Sequence, residues 1–233
     1  MANDSAGDPH PKRRSAFAGL LLGVALFCIA TYAGFNGAFH VELSPFNAFL
    51  LTPLFGLPLA VAFWPRARWW GVAYFLLWLT VCHFAATYVA ATLYLNHGVD
   101  IGRECAVGFS PLYADPVKQQ DCVSAAHAKE MRLALGAGLA GGFVGAALSF
   151  AALLLAARFR GRRSLLRMAG ATILLAALGG AAFWLILPDK MEPEEWVLLL
   201  FLPWQLVFGS ALVLLFGDRS AAATPRPSSS RAA

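Results

Sequence analysis

Charged residues are scarce in this chain. Asp, Glu, Lys and Arg make up 13% of the 233 residues, whereas hydrophobic residues make up 59%. A soluble domain carries about 25% charged residues, because its surface must face water. This shortage argues against an ordinary soluble domain. Nucleic-acid binding is also disfavoured, since the net charge of +5 comes from basic residues that flank apolar runs and form no basic stripe.

Cysteine is equally rare, and none of the four cysteines belongs to a C-x-x-C pair. Membrane enzymes that pass electrons from thiols to a quinone use such closely spaced, reactive cysteines, so the sequence disfavours that class. Cys105 and Cys122 both fall in one predicted outer loop, where an oxidising compartment would allow a structural disulfide worth roughly 3 kcal/mol. Cys28 and Cys82 lie in apolar runs and are interpreted as small core residues.

Six apolar runs are long enough to cross a membrane as helices, since about 20 residues rising about 1.5 Å each span the hydrocarbon core. They cover residues 16–35, 46–64, 69–95, 133–157, 168–187 and 196–217. None alternates apolar and polar residues as barrel strands do, and backbone amides in lipid must bond within their own segment. The sequence therefore predicts an all-α, multi-pass bundle of six transmembrane helices in a lipid bilayer.

Basic residues are distributed unequally between the two ends of these helices. With the N-terminus inside, thirteen Lys and Arg lie inside and five outside, whereas three acidic residues lie inside and ten outside. The positive-inside rule then predicts cytoplasmic termini, in what we take to be a bacterial cytoplasmic (inner) membrane. A cleaved signal peptide is the competing interpretation of the first run. That run exceeds the roughly 7 to 15 residues of a signal core, and no A-x-A site follows it.

The polar segments between and beyond the runs form tails and one long loop. Residues 1–15 and 218–233 are predicted to be disordered cytoplasmic tails, because they offer no apolar face to bury. Residues 96–132 form the predicted outer loop. Within it, Asp115 and Pro116 are typical of a helix cap and first helical residue, and that helix is expected to continue into the fourth run.

Small residues mark the fourth run as a packing helix. Gly138 and Gly142 are four residues apart, and so are Gly141 and Gly145. Each pair forms a ridge on which a neighbouring helix can approach closely. The same ridges could hold a second copy of the chain or another subunit, so a homo- or hetero-oligomer through the fourth span is a further expectation.

One histidine lies deep in the predicted bilayer. His83 is the only deeply placed His, acid or base in the six runs, and Thr80 and Thr87 share its helical face. Gln205 lies at a similar depth in the sixth run, and we expect it to hydrogen-bond His83 across a helix interface. This intramembrane polar site has three interpretations: a bond between helices, a proton or substrate path, or a cofactor ligand. Haem is disfavoured because His83 has no deep histidine partner, so no cofactor is predicted.

The outer face carries a second, weaker candidate site formed by His40, His97 and His127. Three histidines with a nearby carboxylate such as Glu42 can bind zinc or copper. These residues come from separate segments without the short spacing of a metal motif, which favours solvated histidines.

For function, the sequence favours a non-enzymatic membrane component, either a small-solute or proton-coupled conduit or an accessory or scaffold subunit. The alternative is a membrane redox or metal-dependent enzyme that uses the outer histidines or the loop cysteines.

Overall fold

The computed structural model describes residues 10–37, 47–63, 69–98, 105, 116–157, 162–186 and 192–222. These ranges contain six α-helices and no strand, in agreement with the predicted all-α class. The helices are α1 (His10–Phe35), α2 (Thr52–Phe63), α3 (Trp69–His97), α4 (Pro116–Ala157), α5 (Arg162–Ile186) and α6 (Pro193–Ala222), and a 3-10 turn (Ala48–Leu51) leads into α2.

Five of the six helices described are long and apolar enough to cross a membrane, judged by length and composition. The exception is α2, whose 12 residues and the four of the preceding turn cover about 24 Å at about 1.5 Å per residue. Large apolar side chains point outward from the long helices: Ile29, Leu77 and Ile173 are 66%, 65% and 69% exposed. Water would not tolerate so much apolar surface, whereas lipid accepts it.

Several helices extend beyond the apolar runs that predict them. α1 begins at His10, so part of the expected N-terminal tail is helical, and α6 ends at Ala222. Adding residues to an existing helix costs little, and Lys and Arg favour helix, which explains extension into polar sequence. α4 begins at Pro116 and runs unbroken for 42 residues, as predicted, whereas its expected cap Asp115 lies outside the described residues.

The helices are arranged as a closed ring in chain order. Each helix packs against the next one along the chain, and α6 packs against α1. Aromatic side chains fill the interior of the ring, and Phe27, Phe55 and Phe208 are almost completely buried there. This apolar cluster is the core that positions the site described below.

The glycines of α4 lie at its contacts with the two flanking helices. A Cβ added to Gly142 would lie 2.7 Å from the carbonyl oxygen of Leu175 on α5, and one added to Gly141 would lie 2.6 Å from that of Ala86 on α3. Gly138 and Gly145 extend the same two ridges against α5 and α3. Both ridges are therefore covered within the chain, and an oligomer through α4, which stays a prediction, would need another face of this helix.

A disulfide joins Cys105 to Cys122, with the two Cα atoms 5.7 Å apart. Cys122 lies in the second turn of α4, so the bridge ties the connection after α3 to the start of α4. Cys28 and Cys82 are free thiols within α1 and α3.

Gly142→Ala should destabilise the protein by about 1 to 3 kcal/mol, because the new methyl group meets only backbone atoms, which cannot move unless the helices separate. Gly136→Ala is the matched control on the same helix, since nothing lies within 4 Å of its added Cβ. The control should be neutral or slightly stabilising. Unfolding of the purified protein in detergent measures both; equal effects would contradict the close contact of α4 with α5.

Cys105→Ser, Cys122→Ser and the double variant should each lower the free energy of unfolding by about 3 kcal/mol, because any one of them opens the same closed loop. A reducing agent should lower the stability of the wild type to that of the variants and leave the variants unchanged. Additive losses in the double variant would show that the two cysteines act separately.

Candidate polar site at His83

His83 lies at the midpoint of α3, fourteen residues from either end. Its side chain is 1% exposed. The surrounding sequence is rich in apolar helix formers, so the helix continues through this position and carries the imidazole into the interior of the ring. A buried imidazole needs partners inside the protein, because neither lipid nor the apolar core supplies a hydrogen bond.

The partner of His83 is Thr52, the first residue of α2. Thr52 Oγ1 and His83 Nδ1 share a hydrogen bond of 2.7 Å, and both side chains are buried. Phe49, in the turn that precedes α2, packs edge-on against Phe84 with the ring centres 5.0 Å apart. The start of α2 is therefore held level with the middle of α3.

Two aromatic rings of α6 enclose the imidazole. The Trp204 ring centre lies 4.3 Å from that of His83, and the Phe201 ring centre lies 5.4 Å away, both in edge-to-face arrangements. These contacts fix the orientation of the imidazole. Its second nitrogen, Nε2, is buried and has no hydrogen-bond partner in the part of the chain that the structure describes.

The predicted hydrogen bond between His83 and Gln205 is not formed. Gln205 is fully buried, yet neither its Oε1 nor its Nε2 has a partner among the described residues. Successive residues of a helix are turned by about 100°, so Trp204, the neighbour of Gln205, faces His83 in its place. Matching the depths of two residues was insufficient, because the rotation of α6 about its axis also decides which side chains meet.

The threonines predicted to share the face of His83 differ in their surroundings. Thr80 donates its hydroxyl proton to the Leu76 carbonyl oxygen of its own helix, at 2.8 Å. Thr87, one turn beyond His83, lines the same cavity as the imidazole. Sequence reasoning missed Thr52, although the Thr-Pro pair formed with Pro53 is a signal for the start of a helix at that position.

A cavity of about 40 Å³ adjoins His83 and is bounded by α3, α4, α5 and α6. Half of the twelve lining residues are glycine or alanine, four are large and apolar, and His83 and Thr87 are polar. From His83 the cavity extends through Ala90 and Gly138, toward the end of the bundle where α3 ends and α4 begins. We call this end the loop end.

A second polar contact lies at the loop end, beyond the cavity. Tyr94 donates its hydroxyl proton to Glu130 Oε1 at 2.8 Å and so joins α3 to α4. Tyr94 is one turn past Ala90, which lines the cavity. His127 Nδ1 lies 3.6 Å from the other carboxylate oxygen of Glu130.

The weaker metal candidates are not brought together within the described ranges. His97 is exposed at the end of α3, and His127 is exposed on α4. His40 and Glu42 lie outside the described residues. No group of three or more His, Cys, Asp or Glu that could hold a metal occurs in the part of the chain that the structure describes.

Comparisons with protein families, with curated proteins and with solved structures find no match to this chain. The site geometry must therefore support any functional conclusion.

A double-mutant cycle tests the assignment of the partner of His83. Thr52→Val and His83→Leu should show a coupling energy of about 0.6 to 2 kcal/mol in unfolding measurements, because the two side chains share a hydrogen bond inside the bundle. The cycle of His83→Leu with Gln205→Leu is the matched comparison and should be additive within about 0.5 kcal/mol. Coupling only in the second cycle would restore the partner predicted from the sequence.

Proposed function

We propose that this chain is a six-span protein of a bacterial cytoplasmic membrane, with both termini in the cytoplasm. The unequal distribution of basic residues supports the orientation. The second span of this proposal is the apolar run 46–64, which contains α2 and its preceding turn. Exposed Trp69 and Trp70 at the start of α3 are typical of side chains that lie at a membrane interface.

We further propose that the protein is a non-enzymatic conduit, which binds a small solute or a proton at His83 and passes it across the membrane. The observation that carries this proposal is the imidazole itself, which lines a cavity and is held at Nδ1 by Thr52, while its buried Nε2 has no hydrogen-bond partner among the described residues. Intramembrane ionisable side chains commonly mark such pathways.

A purely structural role explains only half of these contacts. A histidine that ties two helices together needs the bond to Thr52 and nothing more. A bound molecule would supply the hydrogen bond that Nε2 lacks among the described residues, and such a bond inside a membrane bundle is worth about 0.6 to 2 kcal/mol. The cavity next to His83 gives such a molecule a place to bind.

The conduit is proposed to work by a conformational change. The cavity extends from His83 toward the loop end, while aromatic side chains including Phe55, Phe150 and Phe208 fill the core of the ring. The bundle therefore resembles a binding pocket more than an open pore. The glycine contacts of α4 offer smooth surfaces on which packed helices can slide by small amounts, as in shear motions.

Reconstitution into vesicles tests this function. Vesicles that contain the protein should conduct protons or a small solute faster than protein-free vesicles, measured with an enclosed pH dye and by the scattering change after an osmotic step. His83→Leu should lower the protein-dependent flux at least tenfold, because it removes the imidazole from the cavity lining.

Thr80→Val is the matched control, since Thr80 lies on the same helix and bonds its own backbone. It should retain the flux, and unfolding measurements on each variant establish that the fold survives. Wild-type vesicles that conduct nothing would contradict the conduit and favour the accessory subunit. A flux that His83→Leu leaves unchanged would contradict the site.

A further inference from the structure

We propose that the cavity selects a small, uncharged molecule that both donates and accepts hydrogen bonds, of the size of formamide or urea. His83 Nε2 is its primary hydrogen-bond partner. The inference rests on the proposed function, in that the cavity is taken as the solute site. It adds the chemical class of the solute.

The lining of the cavity excludes ions. None of its twelve residues is Asp, Glu, Lys or Arg. A charge buried without a counter-charge is penalised by several kcal/mol even after relaxation of the protein, and more so at membrane depth. Glu130, an acid at the loop end, lies eight residues before Gly138 on α4, about 12 Å along the helix, and accepts a hydrogen bond from Tyr94.

The polar groups of the site favour a molecule with both donors and acceptors. When Thr52 donates its proton to Nδ1, a neutral imidazole carries its proton on Nε2 and acts as a donor to the cavity. When Nδ1 donates to Thr52, Nε2 is an acceptor. Thr87, one turn closer to the loop end, adds a hydroxyl that can act either way. The site can therefore bind either kind of group while the imidazole stays neutral.

The walls set the size of the ligand. A volume of about 40 Å³ holds on the order of three water molecules, at roughly 10 to 15 Å³ for each. Half of the lining is glycine and alanine, and the large side chains Phe183, Leu200, Phe201 and Trp204 form most of the rest. Trp204 and Phe201 both line the cavity beside the imidazole, so their rings can pack against a planar amide or urea.

Neutral and charged molecules of matching shape test the proposal directly. The protein in lipid nanodiscs, labelled with nitrogen-15 in its five histidines, is titrated with millimolar urea against guanidinium and formamide against formate. The spectrum of His83→Asn identifies the His83 signals. We expect saturable shifts of these signals with urea and formamide, and none with guanidinium, formate or the larger glycerol. Equal or tighter binding of the charged molecules, or no His83 shift with any of them, would overturn the proposal.

Two threonine variants separate binding from stability. Thr87→Val keeps the shape of the side chain and removes its hydroxyl, so the affinity for urea should fall at least fivefold. Thr80→Val, outside the cavity lining, should leave this affinity unchanged. Equal effects of the two variants would overturn the assignment of Thr87.

The two proposals fail in different ways. A proton flux that depends on His83, without binding of any neutral molecule, overturns this inference and leaves the conduit intact. Binding of urea at His83 without flux of any solute supports the inference and overturns the conduit.

Discussion

The hydrogen bond between Thr52 and His83 fixes how the shortest helix sits in the bundle. Lipid offers no partner to a polar group, so the first residue of α2 and the middle of α3 are held at one level. That level places Phe49 against Phe84 and brings the apolar residues of α2 against the central aromatic cluster. The position of the N-terminal end of α2 is therefore determined by this side-chain contact as well as by the length of the apolar run.

Close backbone approach is the second constraint, and it produces the cavity as well as the packing. α4 contacts α5 through Gly138 and Gly142 and contacts α3 through Gly141 and Gly145. Side chains are absent at these contacts, so the helices meet closely, while Trp204 from α6 reaches the space between α3 and α4. Nε2 of His83 has no partner among the described residues, and the cavity lining from α4 and α5 consists of glycine and phenylalanine, which offer no polar side-chain group. The glycines of α4 therefore account both for the close packing of the helices and for the lack of a side-chain partner for Nε2 on that helix.

Most of the fold could be predicted, because in a membrane the length and apolarity of a run are enough to identify it as a helix. The helix class followed from the lengths of the apolar runs. The disulfide partners followed from the charge bias and from the loop that Cys105 and Cys122 share. The partner of His83 could not be predicted in the same way. Depth along a helix is readable from sequence position, whereas rotation about the helix axis depends on packing with every neighbour. A prediction that names Gln205 in place of Trp204 is wrong by one residue, and it selects a side chain that points about 100° away around the helix axis.

Among the described residues, four side chains have a buried polar atom without a hydrogen-bond partner: Thr31 of α1, His83 of α3, and Trp196 and Gln205 of α6. In a water-soluble protein each would weaken folding strongly, because the unfolded chain would bond water at those positions. In a membrane the separated helices already lie in hydrocarbon, so the same groups have no water to bond before the bundle assembles. The difference between the two states is therefore smaller, and the bundle tolerates polar atoms that a soluble core would exclude. This tolerance allows the imidazole that lines the cavity to keep an Nε2 without a partner among the described residues at a modest loss of stability.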